Sequence, residues 1–303
     1  MRNKYLYSLL MMGVIGALVV LFTIRFGEKK ESLTNEKLTI VTSFYPMYVA
    51  TQNLVSGVEG IHLKNLSEPE TGCLHDFQLT PEDMKLLSKA DVFVVNGSGA
   101  ENFLQDVMKE YPKLITINAT ETMDDMSEEV GMHAWMSPRL YKKQIMRIAH
   151  GLKEVCPKQK DRISKNAARY AKKVEALCKQ VDELKELYAA RGQSHVILFS
   201  EAYEGLVEDM GLSVSYLMDL DEERQVSSGE VAEVMEAVAK EAGVMILAEA
   251  PYGKNLGDMV HKETNTPVVY LDTLTRGAYD EQRYLTGMAK NLQEIKEALD
   301  ETD

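Results

Sequence analysis

Between residues 160 and 190 the chain places Ile163, Ala167, Tyr170, Val174, Leu177, Val181 and Leu184 three or four positions apart, with Lys, Arg and Glu on the positions between. That spacing draws one apolar stripe down a helix. A continuous helix of this length would reach ~45 Å at 1.5 Å per residue, enough to run past two small domains. Whatever folds on either side must bury its own apolar face against this rod.

Both flanks carry the same pattern. Before the rod come the β-rich runs "KLTIVTSF" (37–44), "GIHLKNL" (60–66), "DVFVVNG" (91–97) and "KLITINA" (113–119). After it come "HVILFS" (195–200), "SVSYLM" (213–218), "GVMILAE" (243–249) and "PVVYLD" (267–272). Helical patterns separate several of these runs, and Ser227 followed by Glu230 makes a capping box for a helix over 231–240. The expected fold is α/β: two α/β lobes joined by one long bridging helix. The expected division is an N-terminal lobe over 38–158, a linking helix over 159–191 and a C-terminal lobe over 192–303.

Residues 1–30 read as a membrane anchor or signal segment. Arg2 and Lys4 precede an uncharged run from Tyr5 to Ile24, long enough to span a bilayer as a helix. No small-residue cleavage site follows it, so an uncleaved anchor is expected, with a cleaved signal as the alternative. The polar residues 31–37, "ESLTNEK", read as a tether. The net charge of -13 argues against a nucleic-acid surface and suits an acidic body that attracts cations. Three scattered cysteines, Cys73, Cys156 and Cys178, are too few for a disulfide framework.

Two histidines stand just ahead of helix starts. His75 precedes Thr80-Pro81, an N-cap followed by proline at the first helical position, with Glu82 and Asp83 in the first turn. His133 precedes Ser137-Pro138 in the same manner. In the second half Ser200 and Glu201 close one strand and Asp272 closes another, and open α/β sheets bind ligands outside the carboxyl ends of their strands. Imidazoles and carboxylates together suit Zn²⁺, Mn²⁺ or Fe²⁺, whereas Ca²⁺ and Mg²⁺ prefer oxygen shells. His62, His150, His195 and His261 fall in strand or helix patterns and are not expected to be ligands.

The stretches "VTSFYPMY", "LHDFQLTPEDMKLLSKADVFVVNGSGAENFL", "MHAWMSP" and "ILAEAPYGKNLGDMVHKETNTPVVYLD" resemble, in order, the metal-specific solute-binding proteins of ABC transporters. The resemblance covers nearly everything after residue 37. It implies one divalent cation, Mn²⁺ or Zn²⁺, carried as cargo in the cleft between the lobes. Carried across residue by residue, it puts His75, His133 and Asp272 among the ligands. The third position departs from zinc-type members, where a histidine is usual. Here it reads Ser200-Glu201, as in manganese-type members. Glu201 is the expected ligand, with Ser200 or a water as the alternative. The resemblance also implies an ABC permease as partner, a monomer, and a place on the outer face of the cytoplasmic membrane.

Two further departures matter. "ETMDDMSEEVG" (121–131) occupies the place of a His-rich loop and reads as a solvated charge run. No lipid-bearing cysteine lies near residue 25, which favours anchoring by the 5–24 helix. Trp135, the lone tryptophan, is expected to pack beside His133. A metal hydrolase is the competing enzyme class, but no H-E-x-x-H, G-x-S-x-G or phosphate loop is present. A surface adhesin holding a structural metal is the other alternative.

Overall fold

β-Branched and aromatic runs become the strands of two all-parallel sheets in the computed structural model, which describes residues 37–68, 77–123, 126–220, 224–241 and 243–301. The first sheet contains β1 (Leu38–Thr42), β2 (Ile61–Asn65), β3 (Val92–Val95) and β4 (Ile115–Asn118), in the order β2-β1-β3-β4. The second contains β5 (His195–Leu198), β6 (Ser213–Leu217), β7 (Met245–Glu249) and β8 (Val268–Leu271), in the order β6-β5-β7-β8. The two orders are the same pattern used twice. In each, the chain first steps outward to one edge and then crosses to the other side, so a crossover point lies between β1 and β3 and again between β5 and β7.

The register follows from burial. All four residues of β3 are 0% exposed, and it pairs with β1 through Ile40 opposite Val92 and with β4 through Val94 opposite Ile117. A strand covered on both faces has to be a continuous apolar run, as "VFVV" is. The edge strand β2 alternates half-buried and exposed residues instead.

Helices α1 (Tyr45–Val55), α2 (Pro81–Leu87), α3 (Leu104–Glu110), α4 (Glu128–Met132) and α5 (Pro138–Val155) belong to the first half. Helix α6 spans Lys160–Ala190, 31 residues or roughly 46 Å. All seven stripe residues named above are buried on it, joined by Tyr188. Helices α7 (Glu204–Asp209), α8 (Ser228–Lys240), α9 (Ala250–Thr264) and α10 (Arg283–Asp300) complete the second half.

Leu38–Asp303 is one compact unit, and the reason is visible in the core. A single apolar cluster takes in β1 and β3 of the first sheet, the stripe of α6, and Val196, Leu198, Met245 and Leu247 of the second. The alternate residues of the second sheet, Ile197, Phe199, Ile246 and Ala248, point to its other face and form a smaller cluster with Val234 and Val260. At ~1.5–3 kcal/mol for each large apolar side chain buried, the shared cluster is what binds the lobes into one body.

Three helix starts expected from the sequence are present. Thr80 and Asp83 form a reciprocal capping box at α2, Ser137 Oγ accepts from Leu140 N at α5, and Ser227 and Glu230 form a second capping box at α8. One expectation changes. The acidic stretch before His133 is not wholly a solvated run, because Ser127 caps the short helix α4, whose Val130 and Gly131 are buried. The N-terminal run 1–36, with the expected anchor and most of the tether, and the segment holding Cys73 and His75 lie outside the described residues. Among the described residues no helix is long and apolar enough to cross a membrane.

Candidate metal centre

His133 ends α4 and begins a short 3-10 turn over Ala134–Met136, and only 2% of it is exposed. Its position is set from below by a hydrogen-bonded relay. Asn96, at the carboxyl end of β3, donates from Nδ2 to the carbonyls of Gly131 at 3.0 Å and Met132 at 3.3 Å. Gln144 of α5 donates to Asn96 Oδ1 at 2.7 Å, which fixes the amide's orientation. Beneath Asn96 lies Glu101, 4% exposed, which accepts from Asn96 N at 2.7 Å, Gly97 N at 2.9 Å and Ser43 Oγ at 2.7 Å. Burial pushes the Glu101 carboxyl up, and the three donors pull against it. Ser43 and Asn96 stand at the ends of β1 and β3, so Glu101 plugs the first crossover point.

From the other side the His133 turn is gripped by the C-terminal half. Trp135 packs against His133 with ring centroids 5.4 Å apart and edge-on to Phe44 at 4.9 Å. Its Nε1 donates to Thr273 O at 2.8 Å, while Tyr284 Oη donates to the Trp135 carbonyl at 2.8 Å. Ser137 Oγ donates to Asp209 Oδ2 at 2.6 Å. Trp135 therefore links the His133 turn to the residue that follows Asp272.

Glu201 approaches from β5. Ser200 Oγ accepts from Ala202 N at 3.3 Å and so caps the short turn, and Glu201 N donates to Asp219 Oδ1 at 3.1 Å. The Glu201 side chain, 25% exposed, comes to 4.0 Å from His133 Nδ1. Further carboxylates crowd this place. Burial, and then Glu129, Glu201, Glu208 and Asp219, hold the Glu204 carboxyl above its ordinary range. A concentration of negative charge next to an imidazole is a setting that a divalent cation relieves.

Asp272 follows β8 on a turn with its own tension. Leu274 sits at φ 60, an unusual conformation for a bulky residue, and its N–H donates to Asp272 Oδ1 at 2.7 Å. Asn291 brackets the Asp272 backbone, accepting from its N–H at 2.9 Å and donating to its carbonyl at 2.7 Å. Oδ2 accepts from Arg283 at 2.5 Å.

Of the four expected ligands, the fold brings His133 and Glu201 together, turns Asp272 toward Arg283, and leaves His75 outside the described residues. Among the described residues no group of three or more His, Cys, Asp or Glu stands at metal-holding spacing. A separate groove of about 950 Å³ lies at the amino ends of β7 and β8, lined by Asp258 and His261 among others. Its polar groups are engaged locally, His261 with Thr266 O and Asp258 with Lys254 and Tyr270. Sequence reasoning missed Asn96, Glu101 and Arg283. Glu101 follows the Gly-rich turn "NGSG", and nothing in that local pattern sets it apart from any other loop acid.

The family model described as "Zinc-uptake complex component A periplasmic", ZnuA, matches residues 40–298. The chain belongs to the ZnuA family. Within it, the chain is 26% identical to the high-affinity zinc uptake system protein ZnuA of Bacillus subtilis, over 87% of this chain and 88% of that protein. It is 25% identical to the zinc-binding lipoprotein AdcA of Streptococcus pneumoniae over 95% of this chain, but spans only 60% of that relative's length. The Zn(II)-bound ZnuA-like domain of Streptococcus pneumoniae AdcA superposes with a TM-score of 0.73 at 26% identity, covering 87% of this chain and 99% of that one. Two α/β lobes on one long helix are thus the ZnuA fold.

Proposed function

We propose that this ZnuA-family chain is an extracytoplasmic binding protein that captures one divalent transition metal, Zn²⁺ or Mn²⁺, and delivers it to an ABC permease. It acts as a monomeric carrier and not as an enzyme. The observation that carries the reading is the approach of Glu201 Oε1 to within 4.0 Å of the buried His133 Nδ1. Around them stand the carboxylates that raise Glu204. His75 and Asp272 complete the shell in this reading, giving two nitrogens and two carboxylates. Such a set suits a borderline cation, and the second carboxylate makes it more tolerant of Mn²⁺ than a three-histidine site would be.

The third ligand position is better served by Glu201 than by Ser200, because the Ser200 hydroxyl is occupied in capping the turn that aims Glu201 at His133. Residues 38–158 and 192–303 serve as the two lobes, with 159–191 as the rigid link. The segment 1–30 holds the protein at the outer face of the cytoplasmic membrane.

Calorimetric titration of metal-stripped protein with Zn²⁺ and Mn²⁺ tests the reading. His133→Ala should weaken both metals by more than ~100-fold, about 2.7 kcal/mol. Glu201→Gln should cost at least ~10-fold for Mn²⁺, about 1.4 kcal/mol, and Ser200→Ala much less. Zn²⁺ should outbind Mn²⁺ in every variant by the Irving–Williams order, so the comparison is made within one metal. Parent-like affinity in His133→Ala would sink the proposed site.

A further inference from the structure

Arg283 is the first residue of α10, and its guanidinium is seated in a slot. A side chain on Gly287 would collide with it, since an ideal Cβ there would lie 2.3 Å from Arg283 Nη1. A Cβ on Gly277, whose φ is +132, would lie 2.8 Å from Arg283 Nε and 3.3 Å from Tyr45 Oη. Two glycines thus leave room for this one cation. The Arg283 side chain, 23% exposed, reaches from the slot to Asp272 Oδ2 at 2.5 Å, while Leu274 N holds Oδ1 at 2.7 Å. Both oxygens of an expected metal ligand therefore have donors already.

We propose that Arg283 is an affinity-setting residue, an internal cation that competes with the cargo metal for the Asp272 carboxylate. The proposal rests on the reading of Asp272 as a ligand. The pair keeps the carboxylate aimed, with its charge answered. An arriving divalent cation must share Oδ2 with the guanidinium or displace it. A fixed positive charge beside a cation site also opposes metal entry. Both effects have the same sign, lowering affinity and speeding release. A carrier that must surrender its cargo benefits from that arrangement. Arg is suited to the role because its planar fork holds a carboxylate firmly and stays charged at every working pH.

The test is titration of Mn²⁺ and of Zn²⁺ into metal-stripped full-length protein, with stopped-flow release into a chelator, for the parent, Arg283→Gln, Arg283→Lys, Asp272→Asn and the Arg283→Gln/Asp272→Asn double variant. Arg283→Gln should bind at least ~10-fold more tightly, about 1.4 kcal/mol, and release more slowly. Arg283→Lys keeps the charge on a more hydrated head and should fall between parent and Gln, about threefold tighter. Asp272→Asn should bind at least ~10-fold more weakly, and most of the gain from Arg283→Gln should vanish in the double variant. A gain in affinity cannot be produced by poor folding, so a damaged variant does not imitate the expected result. If Arg283→Gln does not fold, the Lys variant decides. Parent-like or weaker binding in the Arg283 variants, with Asp272→Asn impaired, overturns the competition. Parent-like binding in Asp272→Asn, or no metal binding by the parent, overturns the ligand reading and takes the proposal with it.

Discussion

The two sheets share one strand order, and each has a carboxylate at its crossover point, yet the two acids are used in opposite ways. Glu101, at the first crossover, is 4% exposed and accepts from three donors, two backbone amides and a hydroxyl. Glu201, just past the end of β5 at the second, is 25% exposed on its side chain and faces an imidazole at 4.0 Å. The topology supplies the location in both halves. Access and donor supply decide the use. A carboxylate ringed by amide donors is a structural plug, whereas one facing a histidine is placed to take the cation of the proposed function. The two are also connected, since Glu101 holds Asn96, and Asn96 holds the turn that presents His133 to Glu201.

The sharpest way to break this contrast is to remove each acid in turn. Glu101→Ala leaves Asn96 N, Gly97 N and Ser43 Oγ without their acceptor in the interior. At ~1–3 kcal/mol for each stranded donor, partly offset by relaxation, the loss should be about 3–5 kcal/mol. Glu201→Ala should cost less than about 1 kcal/mol of metal-free stability, as a partly exposed position outside the core. Metal affinity should follow the opposite order, Glu201→Ala losing it directly. Denaturant unfolding and metal titration of the two variants give both axes. Equal destabilisation by the two changes would mean that the crossover acids are not differently used.

A pH series sharpens the same point. Burial raises the Glu101 carboxyl above its ordinary value of 4.5. A carboxyl that binds its proton more tightly in the folded state contributes its full stability below that ordinary value, and the contribution declines as pH rises toward the raised one. Gln at this position has no such dependence. The stability gap between parent and Glu101→Gln should therefore be widest near pH 4 and narrower at pH 8. A gap that widens with pH would show that the three donors outweigh burial.

A smaller effect comes from the link between the halves. Trp135→Phe keeps an aromatic ring against Phe44 and His133 but removes the Nε1 donor to Thr273 O. The stranded carbonyl beside Asp272 should cost about 1–2 kcal/mol. If the bond also keeps the His133 and Asp272 segments in register, metal affinity should drop with it. A stability loss without any change in affinity would confine Trp135 to packing.

The repeated halves were legible because each rests on local pattern. The seven-residue stripe predicts α6, since a spacing of three and four has one helical reading. The strands follow from β-branched runs, and the starts of α2, α5 and α8 from Thr80-Pro81, Ser137-Pro138 and the Ser227–Glu230 pair. What the sequence hid are residues whose role exists only after folding. Arg283 stands eleven positions from Asp272, and no periodicity pairs them before β8 and α10 pack together. Glu101 looks like any loop acid until Ser43, 58 positions away, donates to it. Helix α4 was concealed by its charge, because only Val130 and Gly131 turn inward.

The smallest expected effect lies at the capping box of the second half, at the start of α8. Helix α8 is 13 residues long and carries one fully buried side chain, Val234, so packing holds it less firmly than the stripe holds α6. Its start should matter correspondingly more. Ser227→Ala removes the acceptor for Glu230 N and should cost about 1 kcal/mol, the ordinary worth of an N-cap. The Glu230 carboxylate reaches back to Ser227 N at 2.8 Å and also takes Arg224, and the Ser227 amide first, then Arg224, hold its pKa down at about 2. A depressed carboxyl contributes stability above its ordinary value of 4.5 and loses it as pH falls through the depressed one. The advantage of the parent over Glu230→Gln should be present at pH 7, shrink below about pH 4.5 and be gone near pH 2, read as the difference between their melting temperatures. The dependence runs opposite to that of Glu101, which separates an exposed acid paired at a helix start from one sealed inside a sheet crossover. A pH-independent difference would mean that the Glu230 charge takes no part in holding α8.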